Sequence, residues 1–277
     1  MRIMLYNRLF GFVVLLIIVS VVSAKSVDSI QIWHDKYHAT VPRVLSHRGF
    51  YKYSNASQNS RASLRNAIRL GVEGSEMDIW LTSDNHIVVN HDATRDGLVI
   101  EKSTWKDVKR LKLDNGERLP QFKEFLKILK ASKHTHLLVE VKKHSTKERT
   151  VEAALAAMQA VENAGLRKMV EYLSFSLPAC KALAQEDPSA RVFYLGGDKS
   201  PRELHNLGIN AMNCKASVYR KNPSWIKEAH ELGMSVTARG MNTKKIIQEM
   251  IHLGVDNLAT DFPVQAMEVR ETFCKKK

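Results

Sequence analysis

The sequence predicts an α/β chain folded as a single-domain (β/α)8 TIM barrel, and three observations carry that expectation. Eight short runs rich in aliphatic and β-branched residues alternate with helical patterns over most of the chain, the rhythm of a parallel sheet. Without its first 24 residues the 277-residue chain keeps 253, close to the ~250 that eight such units occupy in a closed barrel. Charged and polar residues gather at the ends of these runs, where a barrel presents its site. A doubly wound sheet is the runner-up, but no Gly-rich nucleotide turn follows the first run.

The strand-like runs fall at 44–46, 74–80, 137–141, 170–174, 191–195, 209–213, 235–238 and 257–260. Helical spacing lies between them at 62–70, 122–131, 147–163, 178–186, 201–206, 223–232 and 243–252. Several of these helices begin at Pro or a capping Ser, Thr or Asp, and Gly71, Gly165, Gly208, Gly233 and Gly254 stand where helices should stop. No Pro/Gly/Ser-rich linker, low-complexity tract or repeat interrupts residues 41–270, so that stretch reads as one barrel domain.

Residues 1–24 read as a signal peptide. Arg2 and Arg8 are its basic flank, residues 9–22 are its apolar run, and Val22-Ser23-Ala24 offers a cleavage site. The fourteen-residue run is shorter than the ~20 residues of a spanning helix. The expectation is an exported protein, periplasmic or secreted, with a retained N-terminal anchor as the alternative. Residues 25–40 read as a polar linker whose Ile30, Ile32 and Trp33 dock on the barrel base, and residues 271–277 as a basic tail.

The chain carries a net charge of +13, which suits anionic small molecules, anionic lipid headgroups or nucleic acid. The basic residues are dispersed and not interleaved with aromatics, so nucleic acid is not expected as a partner. Peripheral contact with a membrane surface stays open, and no obligate protein partner is readable. Cys180, Cys214 and Cys274 are odd in number and form no CxxC pair. A Cys214–Cys274 bridge and three unpaired thiols are both open readings.

The stretch from Ser46 to Asp92 organises the chain. Glu76 and Asp78, two apart on one predicted strand, point to the same face. His47 and His91 follow apolar runs, and Glu140 and Lys142 share a face at the end of the third predicted strand. Asp261 ends the eighth. Three carboxylates in one cavity repel unless a cation neutralises them, and all-oxygen ligands favour Ca2+ or Mg2+ over zinc.

These residues stand in a recognisable series: His47-Arg48-Gly49, Gln58-Asn59-Ser60, Glu76-Met77-Asp78, Thr82-Ser83-Asp84, His91-Asp92, Glu140-Val141-Lys142 and Ser174-Phe175, closing with residues 254–263. The series resembles the glycerophosphodiester phosphodiesterase family over about residues 43–267. The resemblance implies metal-dependent hydrolysis of a glycerophosphodiester to an alcohol and sn-glycerol 3-phosphate. It implies a divalent cation, Ca2+ or Mg2+, on Glu76, Asp78 and Glu140, and His47 and His91 as acid and base. Imidazole titrates near neutrality and can do either task. Arg48 and Lys142 are expected to meet the phosphate oxygens, with Asn59, Phe175 and Arg239 in support. Attack by water and attack by the neighbouring glycerol hydroxyl both stay open.

Two departures from the family pattern stand out. Gln58 occupies a position usually held by Glu, which removes a charge beside the carboxylates. In Val236-Thr237-Ala238-Arg239-Gly240-Met241-Asn242, Arg239 replaces a Trp that packs near the alcohol of the substrate, and Gly240 replaces a Thr. Arg239 reads either as a ligand for a polar or anionic leaving group or as loop drift. Two rival functions remain: a lipid-cleaving phosphodiesterase of the sphingomyelinase D kind, and a non-catalytic barrel that binds a phosphate ligand.

Overall fold

A computed structural model describes residues 41–274. The expected signal peptide, the linker with Ile30, Ile32 and Trp33, and residues 275–277 lie outside the described residues. Eight parallel strands form the barrel: β1 (Arg43–Ser46), β2 (Gly74–Leu81), β6 (His136–Val141), β7 (Val170–Ser174), β8 (Val192–Tyr194), β9 (Ala211–Lys215), β10 (Ser235–Arg239) and β11 (Asn257–Thr260). They pair in that order, and the ring closes where β11 pairs with β1, Arg43 opposite Asn257 and Ser46 opposite Thr260. Between β2 and β6 a short antiparallel strand β3 (Ile87–Val89) folds back on β2, followed by the small hairpin β4 (Thr94–Arg95) and β5 (Leu98–Val99). Trp80, Val88, Ile100, Val108, Leu111, Leu113 and Leu119 give this excursion its own core.

The helices are α1 (Arg61–Leu70), α2 (Trp105–Val108), α3 (Phe122–Leu129), α4 (Lys147–Asn163), α5 (Leu177–Glu186), α6 (Pro201–His205), α7 (Ala216–Lys221), α8 (Trp225–Glu231), α9 (Lys244–Leu253) and α10 (Pro263–Cys274). Local chemistry fixes their ends. The Ser60 hydroxyl accepts from the Ser63 amide and the Ser63 hydroxyl from the Ser60 amide, so α1 starts on a capping box. It stops at Gly71, whose φ of 77° supplies the left-handed turn.

Every predicted strand lies where a barrel strand is found. Strand β9 begins two residues later than expected, because the Ile209 amide still bonds to Leu204 O (3.1 Å) and Asn210 is held by β8, accepting from the Val192 amide. Helices α2, α7 and α10 were not predicted. The last of these runs through 271–274, into residues read as a basic tail. Cys214 and Cys180 are buried, unpaired thiols, so no Cys214–Cys274 bridge forms. Burial raises their pKa values, to about 11 and about 12. Among the described residues no helix is long and apolar enough to cross a membrane.

The two faces of the strands build two cores. The larger one lies between strands and helices. Leu45, Leu138, Leu173, Phe193, Leu195, Ala211 and Ala259 form a separate cluster that fills the barrel interior. Gly74 is part of that layer by necessity, since a Cβ there would stand 2.5 Å from a Leu45 methyl and 2.7 Å from a Leu138 methyl. Alternation then places His47, Glu76, Glu140, Asn213, Arg239 and Asp261 on the interior face at the C-terminal mouth. On the opposite side of the apolar layer, Arg43 makes two hydrogen bonds to Glu171 (2.8 and 3.0 Å) and one to Asn257 (2.6 Å).

Candidate active site

The turn after β1 supplies the first two groups. The His47 amide donates to Thr260 O (2.9 Å), which ties the turn to the closing strand. Its ring Nδ1 stands 2.7 Å from Asp261 Oδ1. Burial works against the charge on Asp261, but bonding to His47 and Asn242 overrides it and holds the pKa below the usual range. An ionised carboxylate only accepts, so Nδ1 carries the proton and Nε2 is left as the free basic nitrogen. That Nε2 lies 3.9 Å from Glu76 Oε2.

Arg48 and Gly49 follow with left-handed φ values of 56° and 78°. At Gly49 a Cβ would meet Ser63 Oγ at 2.3 Å and its backbone carbon at 2.8 Å, so the turn sits against α1 only without a side chain. The turn aims the Arg48 amide at Glu76 Oε2 (2.8 Å). The guanidinium donates to Gln58 Oε1 (2.7 Å), and its Nε lies 3.6 Å from Asp78 Oδ2. Gln58 therefore orients Arg48 through its amide oxygen. Asn59, also left-handed at φ 57°, donates to Asp78 Oδ2 (2.7 Å) and accepts from the Asp78 amide (3.0 Å).

One carboxylate oxygen from each of Glu76, Asp78 and Glu140 lies within 4.8 Å of the others. Glu76 Oε1 is sealed from solvent with no hydrogen-bond partner among the described residues. Burial and then repulsion from Asp78 and Glu140 push the Glu76 pKa well above the usual range. Burial and Asp78 likewise raise Glu140. Lys142 Nζ bridges Glu140 Oε1 (2.8 Å) and Asp78 Oδ1 (3.3 Å); burial opposes its charge, and the carboxylates overcome that and raise its pKa. Just beyond, His144 clips the ends of β2 and β6, accepting from the Leu81 amide at Nε2 (2.9 Å) and facing Lys142 O with Nδ1 (2.9 Å).

His47, Arg48, Asn59, Glu76, Asp78, Glu140 and Lys142 thus form one contiguous polar network. The other three candidates stand outside it. His91 is placed by its neighbours, Asn90 donating its amide to Asp78 O (3.1 Å) and Trp80 its indole N–H to His91 O (3.4 Å). Its ring contacts Asp92 (2.8 Å), and among the described residues no bond joins it to His47 or the carboxylates. Phe175 is an exposed ring at the end of β7. Arg239 lies 5.0 Å from the centre of that ring and donates to the carbonyls of Leu195 and Asn213.

Two residues that attach to this network through His47 were given no role from sequence. Asp261 was noted only as a charged strand end. Asn242 donates to its Oδ2 (3.0 Å) and accepts from its amide (3.0 Å), fixing the carboxylate that fixes His47. The signal for Asp261 was present: it lies two residues after Ala259 on the interior face, at a strand end. Asn242 lies in a loop, where no alternation marks direction.

Carboxylates, a guanidinium and an ammonium around an oriented imidazole, at the mouth of a (β/α)8 barrel, define the class of enzyme that works on phosphate esters. Comparison with known proteins narrows the class. The glycerophosphoryl diester phosphodiesterase family matches residues 47–265. A glycerophosphodiester phosphodiesterase of Caldanaerobacter subterraneus is 25% identical over 234 residues, covering 79% of this chain and 94% of that protein. A crystal structure of a glycerophosphodiester phosphodiesterase from Parabacteroides distasonis superposes with a TM-score of 0.83 at 36% identity, over 85% of this chain and 99% of that one. An Oleispira antarctica phosphodiesterase, solved in complex with the product sn-glycerol-3-phosphate, shares the fold (TM-score 0.70, 19% identity, 83% and 97% coverage). The chain belongs to the glycerophosphoryl diester phosphodiesterase family.

Proposed function

We propose that the protein hydrolyses glycerophosphodiesters to an alcohol and sn-glycerol 3-phosphate, with a divalent cation at Glu76, Asp78 and Glu140 and with His47 and His91 moving the protons. The observation that carries this reading is the sealed, unpartnered Glu76 Oε1 inside a three-carboxylate cluster, beside an imidazole whose Nδ1 is committed to Asp261. Family membership and the product held by the Oleispira relative support the same chemistry.

The cluster fits a cation. Its donors are all carboxylate oxygens, one of them lacks a partner among the described residues, and burial with mutual repulsion favours a positive ion there. Oxygen donors suit Ca2+ or Mg2+. When bound there, such an ion supplies positive charge to the phosphate oxygens.

The remaining tasks fall to the side chains. Arg48, held by Gln58, and Lys142, between Asp78 and Glu140, present donors to phosphate oxygens and stabilise charge as it grows on them. His47 Nε2 is placed to take a proton from the attacking oxygen or to give one to the leaving oxygen, and the Asp261 carboxylate stabilises the imidazolium. His91 at the rim performs the complementary transfer. The attacking oxygen belongs to water or to the glycerol hydroxyl beside the phosphate; in either case one P–O bond forms, the P–O bond to the alcohol breaks, and that alcohol leaves with a proton, and on the second route water then opens the cyclic phosphodiester to give sn-glycerol 3-phosphate. The composition of residues 1–24 supports export.

The test is release of sn-glycerol 3-phosphate from glycerophosphocholine by the full chain, with calcium, with magnesium and with a chelator. Release that needs the cation and disappears in His47→Ala is the expected result. Equal release with chelator removes the cation from the mechanism. Ligand-induced thermal stabilisation without product marks a binding protein instead.

A further inference from the structure

Around the ring, β9 stands four strands from β2 in either direction, so it faces the carboxylate cluster across the mouth. This far wall carries groups that the reaction above does not use. Asn213 is 4% exposed on the interior face of β9, two residues beyond Ala211 of the interior core. Neither its Oδ1 nor its Nδ2 has a hydrogen-bond partner among the described residues, and the Oδ1 is sealed. A buried carboxamide with no partner is rare, and at a barrel mouth it points to a ligand group.

Its neighbours define what that group is. The ladder between β8 and β9 stops at Tyr194 opposite Met212, and the carbonyls of Leu195 and Asn213 stand one residue beyond it. Arg239 Nη1 donates to both. The guanidinium is thereby held under the ring of Phe175, with Nε and Nη2 unpartnered among the described residues. Lys215, in register with Arg239 on the same strand face, is exposed and has no ion pair among the described residues. The wall therefore offers an unpaired amide, an apolar ring and two cations. One cation already lies over the ring whose negative face would otherwise attract an ammonium group.

We propose that Phe175, Asn213, Lys215 and Arg239 form the subsite for the alcohol arm of the diester, and that it selects arms bearing hydroxyls and no positive charge over quaternary ammonium arms. The subsite rests on the phosphodiesterase reading above. Asn213 and Lys215 contact the arm, with hydroxyls pairing with the Asn213 amide and any acidic group meeting Lys215. Arg239 acts as a positioning residue, closing the break between β8 and β9 and fixing the Phe175 plate against which the arm lies. The place of the family's Trp is thus filled by a cation that keeps the wall polar.

The experiment compares kcat/KM of the full chain for glycerophosphoglycerol and glycerophosphoinositol with that for glycerophosphocholine, each with saturating cation. The expected result is a preference for the polyol arms of about tenfold or more. Asn213→Ala should reduce that ratio about fivefold, with circular dichroism checking the fold. Lys215→Glu, at an exposed position that does not threaten folding, should shift the ratio toward choline. Equal kcat/KM for all three diesters, a preference for choline, or a ratio unmoved by both substitutions overturns the subsite and leaves the phosphodiesterase reading standing. Failure to cleave any diester overturns both.

Discussion

Glu171 and Glu76 point into the same barrel from strands that differ little, and the protein treats them in opposite ways. At the closed end, Glu171 meets Arg43 in a two-bond pair, with His136 Nδ1 at 3.4 Å. Burial works against its charge, but the guanidinium wins and lowers the pKa from 4.5 to about 2. At the mouth, burial and two further carboxylates push the Glu76 pKa well above the ordinary range, and one of its oxygens has no partner among the described residues. Charge at the closed end is paired within the chain, whereas at the mouth Lys142 and Arg48 reach Asp78 and Glu140 but leave Glu76 Oε1 without a partner among the described residues. Burial is common to both ends. What separates them is whether the partners are already in place.

Substitutions at the two ends should therefore separate activity from stability. His47→Ala should lower kcat by about a thousandfold, in the 10²–10⁴ range of lost acid–base catalysis, while thermal unfolding stays within a few degrees of wild type. A large fall in Tm would mean that the mouth also holds the fold. Glu171→Ala leaves the half-buried Arg43 without its carboxylate, for a loss of about 3 kcal/mol, the low end for a broken buried pair. Denaturant unfolding measures that loss, and kcat of the folded fraction should be unchanged.

Acid gives a third test. Because the folded pKa of Glu171 is depressed, its contribution is fully present above about pH 4.5 and is lost as pH falls toward about 2. The loss is on the order of 3 kcal/mol. Unfolding curves of wild type and Glu171→Ala should converge over that window. Convergence at higher pH would assign the acid sensitivity to other groups. The smallest effect belongs to Glu76→Gln. Removing one of three like charges should leave stability in chelator equal to or about 1 kcal/mol above wild type, while calorimetric affinity for calcium or magnesium falls about tenfold or more. A marked loss of stability in chelator would show that the mouth is balanced internally after all.

The eight strands were legible because each is an aliphatic run of ordinary length with turn residues on either side. The carboxylates were legible because a two-residue period fixes their face. What escaped was set by contacts remote in sequence. Arg239 read either as a ligand for the leaving group or as loop drift, and neither reading foresaw that its Nη1 is spent on the carbonyls of Leu195 and Asn213. Gln58 read as a missing charge and turns out to hold Arg48. Helix α7 is six residues long, too short for periodicity to mark. Asn242 acts through a loop geometry that no pattern encodes.

The contact between His47 and Asp261 joins positions 214 residues apart, whereas Glu76, Asp78 and Glu140 all lie well before Asp261 in the chain. During synthesis the three carboxylates are made early, and the carboxylate that orients His47 is added near the end. A chain interrupted before β11 lacks the aligned imidazole however well its first strands have paired. Under the proposed mechanism, competence thus arrives with ring closure, a contact of high loop-closure cost, and a nascent or clipped chain should be silent.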